Sequence, residues 1–268
     1  MKKKKKNWNL YIGLGITIAV IAIAIIGRFW TPYSTTAVSA TLRNSGPTLA
    51  HPFGCDNLGR DILSRVMSGM GTTVFVAFFT VLIGVVFGTI IGSLTGYFGG
   101  WVDTVIMRIN DTILSFPSVL LALVFIAVLG TGQSNVILAL GVLFIPSFAR
   151  IVRGEMMKIK ELEYVKSARV MGVGKFRIIF VHIIPNMLAS MITTATIGFN
   201  NAVLAEASMS YLGLGVQPPQ ASLGRMLYDA QGLLARIPWA AIFPGIMIII
   251  IILGLSMLGE GLRVKTGG

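Results

Sequence analysis

Charge is scarce in this 268-residue chain: 12% of its residues are Asp, Glu, Lys or Arg, against about a quarter in a typical soluble domain. With so few, a soluble fold of this length could not cover its surface with polar groups, whereas a lipid-solvated fold needs no such cover. Cysteine occurs once, at Cys55, which excludes an internal disulfide and a cysteine-based metal site. The two histidines, His51 and His182, fall in segments expected on opposite sides of a membrane and so cannot share a site. No His or Asp falls in the middle of any expected span, which argues against an intramembrane protease built on a Ser–His pair or paired Asp residues. A proton-coupled carrier would want an ionisable group at mid-membrane. The nearest candidate, Glu206, stands at the outer end of the fifth expected span, where it reads first as a polar residue fixing a helix end. Composition alone leaves an ion channel open.

What is present instead is apolar: 54% of the residues are hydrophobic and the mean hydropathy is +0.82. Charge-free stretches run from Trp8 to Gly27, Val66 to Val102, Thr112 to Ala149, Ile183 to Ala205 and Ile237 to Leu258. About 20 such residues cross the hydrocarbon core as a helix. The stretch 112–149 is too long for one span, and Gly130-Thr-Gly-Gln-Ser-Asn135 divides it. The expected fold is therefore an all-α integral membrane protein, a single transmembrane domain over 1–268. Six spans are expected near 10–30, 73–97, 113–130, 135–152, 184–206 and 238–258. Lys2 to Lys6 ahead of an apolar run raise the possibility of a cleaved signal peptide. That run exceeds the usual h-region of about 7–15 residues, and Val38-Ser39-Ala40, the small-residue cleavage candidate, lies well beyond it. An uncleaved first helix is expected.

The net charge of +12 invites a nucleic-acid reading, which its distribution opposes. With a cytoplasmic N-terminus, segments 2–6, 98–112, 150–183 and 259–268 lie inside and hold 16 of the 22 Lys and Arg residues. The excess is an inside excess, as in a polytopic membrane protein. It places both termini in the cytoplasm and Cys55 on the external side, with no nucleic acid as partner.

Along the chain, the external segment 31–71 is too rich in Thr, Ser, Pro and Gly for a large folded domain; Asp61 to Gly69 is expected to start a short helix that turns into the second span. Gly84, Gly88, Gly92 and Gly96 recur every four residues on one face of that span, a stripe that lets a neighbouring helix approach closely. Residues 99–117 suit a helix at the cytoplasmic interface, with Arg108 placed to pair with Asp111. Pro146 and Pro244 are expected to kink the fourth and sixth spans. Arg150 to Pro185 is the most polar stretch. It reads as two short amphipathic helices bent at Met171-Gly-Val-Gly174, with Leu162, Val165 and Ala168 apolar on the first and Phe176, Ile179 and Ile183 on the second.

Within it, Lys166-Ser167-Ala168, then Gly172, then His182-Ile183-Ile184-Pro185 reproduce the spacing of the "EAA" loop pattern: Glu-Ala-Ala, three residues, Gly, nine residues, Ile-x-Leu-Pro. Lys166 stands where the pattern has Glu, and His182 where it has Ile. The loop resembles that of ATP-binding-cassette importer membrane subunits. Three further segments resemble the second membrane subunit of the peptide and nickel permease branch: His51-Pro-Phe-Gly-Cys-Asp-Asn-Leu-Gly-Arg-Asp61, Gly100-Trp-Val-Asp103 with Arg108 and Ser115-Phe-Pro117, and Ala205 to Pro219. Cys55 stands where that branch usually has Thr, and Val264-Lys-Thr-Gly-Gly268 replaces its acidic ending.

The resemblance implies half of a translocation pathway for di- or oligopeptides, with nickel or a metal chelate as the alternative cargo. It implies a paralogous permease subunit, two cytoplasmic ATPase subunits and an extracytoplasmic substrate-binding protein as partners. The ATPases would dock on a coupling loop, 153–183, through Glu163, Lys166, Ser167, Ala168, Arg169, Gly172, Phe176 and Pro185. A non-enzymatic chain without a cofactor of its own is expected. Gly172-Val-Gly-Lys175 ends like a phosphate loop, but Arg169 stands where that motif needs Gly and Phe176 where it needs Ser or Thr. ATP therefore belongs to the partner subunits.

Overall fold

The computed structural model describes residues 7–266; the lysine run 2–6 and Gly267-Gly268 lie outside the described residues. The chain is helical almost throughout: α1 (Trp8–Phe29), α2 (Ile62–Phe98), α3 (Gly100–Ser115), α4 (Ser118–Leu129), α5 (Gln133–Ile159), α6 (Glu163–Val170), α7 (Lys175–Arg177), α8 (Ile184–Tyr211), α9 (Leu223–Ala230) and α10 (Trp239–Thr266). A π-wound turn, Ile178–Ile183, joins α7 to α8 so that 175–211 is one continuous rod. Five of these helices are long and apolar enough to cross a membrane, and the bent pair α3–α4 supplies a sixth crossing if counted as one span.

The third expected span, 113–130, is not a single rod. Residues 113–115 belong to α3, and α4 meets it at an angle of 93°. Pro117 disfavours helical backbone at the residue before it, and Phe116 is extended at φ −84°, ψ 142°. The 12 residues of α4 span about 18 Å, short of the roughly 30 Å hydrocarbon core. Elsewhere the helices outrun the expected bounds. There is no turn between Asp61–Gly69 and the second span: α2 begins at Ile62, capped by the Asp61 carboxylate, which accepts from the Ser64 N–H at 2.7 Å. Helix α5 runs through Pro146 to Ile159, and α10 runs through Pro244.

The glycine stripe of α2 lies on α5. A Cβ added at Gly88 would stand 2.5 Å from Phe148 Cβ, and one at Gly92 2.5 Å from the Ala149 carbonyl oxygen. The two backbones are thus in contact along three turns. Such contact is how helices associate in lipid, where burying apolar area offers no net gain. Helix α1 uses the same device at two points, Gly13 against the Leu258 backbone and Gly27 against Met67. The Asn7 side-chain amide also donates to the Gly261 carbonyl at 2.7 Å.

Between α1 and α2, residues 31–61 form a cap around Asp56. Its Oδ1 accepts from the Leu58 and Arg60 N–H groups, both at 2.9 Å, and its Oδ2 from Arg60 Nε at 2.6 Å. Arg60 and Arg65 also reach Asp229 on α9, at 3.6 and 3.5 Å, tying the cap to that short helix. Cys55 is fully buried there; burial, then Asp61 and Asp56, pushes its thiol pKa up. The thiol is therefore no handle for external labelling. Glu206 is also fully buried, accepting from the Ser210 hydroxyl at 2.7 Å, while Ser210 accepts from the Val216 N–H at 3.1 Å. It fixes the helix end and the turn after it.

Glycines inside and outside these contacts predict opposite outcomes for like substitutions. Gly92→Leu should lower thermal stability in detergent by about 1–3 kcal/mol or more, because the α2–α5 contact has no room for a side chain. Gly15→Leu should be neutral, since nothing lies within 4 Å of a Cβ there. Fluorescence-detected thermal unfolding of both variants checks the pair.

Candidate functional site

The bent segment after α5 is built onto the C-terminal ends of α2 and α5 and the start of α8. Lys160 Nζ donates to the Gly96 carbonyl at 2.8 Å, placing a cation at the C-terminal end of α2. Arg153 on α5 makes a two-pronged ion pair with Asp103 on α3, at 2.5 and 2.6 Å. Asp111 pairs with Arg150 across the helices at 2.5 Å, rather than with Arg108 within α3. Local spacing allowed the i, i+3 pair, but the approach of α5 supplied a partner whose geometry spacing could not show.

Helix α6 carries Glu163 in its first turn and Arg169 in its last, each sign opposed to the helix dipole. Val165 and Ala168 are buried, against Val152 and Met156 of α5 and Ile178, Ile179 and Ile183 of the π-wound turn. Glu163, Lys166, Ser167 and Arg169 face outward. Lys166 Nζ lies 3.3 Å from Glu163 and 4.0 Å from Glu161, an exposed pairing worth at most a few tenths of a kcal/mol. It does fix where the cation sits.

The bend is a glycine-terminated helix end. The Val173 N–H donates to the Ala168 carbonyl and the Gly172 N–H to the Arg169 carbonyl, each at 3.1 Å. Gly172 adopts φ +79°. This is the paired closure in which the residue after the helix takes the left-handed conformation and the next one packs back. Val173 accordingly packs on the cluster holding Ala168. Nothing lies within 4 Å of a Cβ at Gly172, so the requirement for glycine is conformational and not steric.

Two residues expected to be apolar and inward are not. Leu162 is half exposed at the start of α6, and Phe176 is 63% exposed. Three residues of α7 followed by a wider turn rotate the register, so Ile178, Ile179 and Ile183 fill the buried side. Phe176 instead meets the Phe98 ring edge-on at 6.4 Å, and Lys175 lies 5.8 Å over the same ring. Pro185 is exposed near the start of α8. It removes one N–H, and the looser winding just before it absorbs that loss. Tyr164 OH, at 3.3 Å, and the Asn186 amide, at 2.7 Å, both donate to the His182 carbonyl, tying α6 to this turn.

The loop thus brings Glu163, Lys166, Ser167, Arg169 and Gly172 to one outer surface, buries Ala168 beneath it, and leaves Pro185 at its base. Spacing missed the apex itself. Val170 and Met171 are 89% and 75% exposed. They fall off the Val165–Ala168 face and next to the bend, which was the available signal. Among the described residues nothing covers this apolar apex, which Arg169, Lys175 and Arg177 flank, and exposed apolar surface of this kind marks a protein contact.

Known proteins match this arrangement in sequence and in shape. The family model described as "Binding-protein-dependent transport system inner membrane component" matches residues 84–264. The chain is 40% identical, over 98% of its own length and 86% of the other's, to the dipeptide transport system permease protein DppC of Alkalihalophilus pseudofirmus. It is 40% identical, over 91% and 81% of the two chains, to the glutathione transport system permease protein GsiD of Pectobacterium atrosepticum. The protein of the same name from Escherichia coli O6:K15:H31 is 41% identical over 91% and 80%. A chain from inward-facing structures of the MetNI methionine ABC transporter superposes with a TM-score of 0.63, covering 76% of this chain and 97% of that one. At 19% identity that likeness speaks for the fold alone.

The bend gives a prediction of its own. Gly172→Val forces a β-branched residue to φ +79°, at a cost of about 1–3 kcal/mol. It should open the loop to trypsin at Lys175 and Arg177. Gly174→Ala, at φ −59°, should leave digestion unchanged. Limited proteolysis of the purified membrane protein separates the two.

Proposed function

The chain belongs to the family of binding-protein-dependent transport system inner membrane components, and on that premise we propose that it is one membrane subunit of a peptide importer driven by separate ATPases. The observation that carries the reading is the bent loop: an apolar apex at Val170 and Met171, ringed by cations and rooted in the span core. Relatives named for dipeptide and glutathione transport favour a peptide cargo over nickel or a metal chelate.

In this reading two cytoplasmic ATPase subunits serve the complex, one of them gripping this loop through Val170, Met171, Arg169 and Phe176. A paralogous permease completes the pathway, and an external binding protein delivers the peptide. Closure of the ATPases pushes on a loop that cannot yield locally, because Val165, Ala168 and the isoleucines at 178, 179 and 183 key it to α5 and α8. The push becomes reorientation of the spans, a coupling free energy of about 1–3 kcal/mol between two sites. Lys166, in place of the pattern's Glu, contributes a cation beside Glu163, so the docking surface here is more basic than that pattern specifies.

Reconstitution tests this directly. The chain purified alone should neither bind nor hydrolyse ATP; assembled with its permease partner and ATPases in liposomes, it should take up dipeptide in an ATP-dependent way. Gly172→Val should abolish uptake and weaken ATPase co-purification while the protein inserts normally, and Lys166→Ala should be milder. ATP hydrolysis by the isolated chain, or normal uptake by Gly172→Val, would overturn the reading.

Orientation has its own test. Leu49 is fully exposed on the segment between α1 and α2, so Leu49→Cys should react with a membrane-impermeant maleimide in intact cells, where buried Cys55 stays silent. Reaction only after permeabilisation would place the termini outside.

A further inference from the structure

Helices α4, α5 and α8 enclose a groove of about 340 Å³ that neither the loop nor the outer cap uses. Its polar lining comes from Ser118 of α4, Ser147 of α5, and Thr194, Asn201 and Ser208 of α8. The three α8 residues are spaced by seven, so they drift only about 40° around the helix while covering about 21 Å of its length. Ser208 donates to the Leu204 carbonyl at 2.8 Å. The side chains of Ser147, Thr194 and Asn201 make no hydrogen bond among the described residues, and Ser147 and Asn201 are exposed. No Asp, Glu, Lys or Arg lines the groove.

Ser147, Thr194 and Asn201 lie well inside the apolar helices α5 and α8, where lipid offers nothing to hydrogen-bond. The faces of α1 and α2 that expose Ile18, Ile25, Phe75, Phe78 and Leu82 bury the threonines beside them, Thr17 and Thr72, whereas Ser147 and Asn201 stand exposed in the groove; the first arrangement suits lipid and the second does not. At about 30 Å³ per water, the groove has room for roughly ten.

We propose that this groove is the chain's share of the solute pathway, a wetted wall that carries peptide amides past the bilayer centre. The Asn201 carboxamide offers a donor and an acceptor together, the complement of a peptide group. Thr194 and Ser147 extend that contact inward along the same face. With no fixed charge, the wall selects neither acidic nor basic side chains and suits backbone recognition, where sequence tolerance is the result. The amide class rests on the peptide-import reading above; the wetting of the groove does not.

The test uses the assembled complex in liposomes during ATP turnover. Single substitutions Asn201→Cys and Ser147→Cys should be modified by a charged, water-soluble methanethiosulfonate, and modification should stop uptake; Ile18→Cys should remain unmodified. No modification of either groove position, or its capture in a cross-link to the partner permease without loss of uptake, would overturn the proposal. Modification together with a wild-type complex that imports no dipeptide would sink the cargo reading and leave the pathway standing. A second arm reads the chemistry: Asn201→Leu should lower dipeptide uptake about tenfold, the worth of one hydrogen bond, with ATPase association unchanged, while Asn201→Ser retains most of it. Equal uptake by both variants would show that Asn201 does not contact the cargo.

Discussion

The backbone contact between α2 and α5 is the constraint on which the rest of the structure depends. In lipid, helices gain little from burying apolar area against one another, so close van der Waals contact has to hold them. Gly84, Gly88, Gly92 and Gly96 provide it by removing every side chain from one face of α2. Once these helices touch, their inner ends are fixed together. Lys160 can then reach the Gly96 carbonyl, Arg153 meets Asp103, and Met156 and Tyr97 form the floor on which the bent loop packs. The loop's stiffness is therefore inherited from a contact made within the bilayer.

The chain is tied at both faces and open between them. At one end, Asp56, Arg60, Arg65 and Asp229 bind the cap and α9 to the start of α2, and Glu206 holds the end of α8. At the other, the loop is keyed to α5 and α8. Helix α8 belongs to both ties and carries the polar face of the groove midway. A push on the loop thus reaches the groove through one continuous helical rod, 175–211. Polar surface without charge at that depth matches a pathway that must release what it binds.

Much of this was legible in the sequence because bilayer solvation is severe. Charge-free runs set the number of crossings, glycines four apart announced a packing face, and Gly172 after Arg169 announced a helix end. What escaped were features fixed by partners distant in sequence. Asp111 had a local candidate in Arg108 and took Arg150 instead. Phe176 fitted a helical period that the π-wound turn does not keep. The third span was expected as one helix over 113–130, and Pro117 with extended Phe116 instead divides it into α3 and α4 at 93°. Cys55 sat in a polar loop that would ordinarily be wet; only the cap around Asp56 buries it.

The central claim is that loop and spans move as one body, and a distance within this chain tests it most directly. Spin labels at Met171, on the loop apex, and Leu138, toward the N-terminal end of α5, occupy exposed positions at opposite ends of that body. Pulsed electron–electron resonance on the full complex should give the same distance distribution without nucleotide, with ATP trapped and during turnover. A distribution that shifts or splits between those states would mean that the loop flexes against the spans, and that ATPase closure reaches the pathway by some other route.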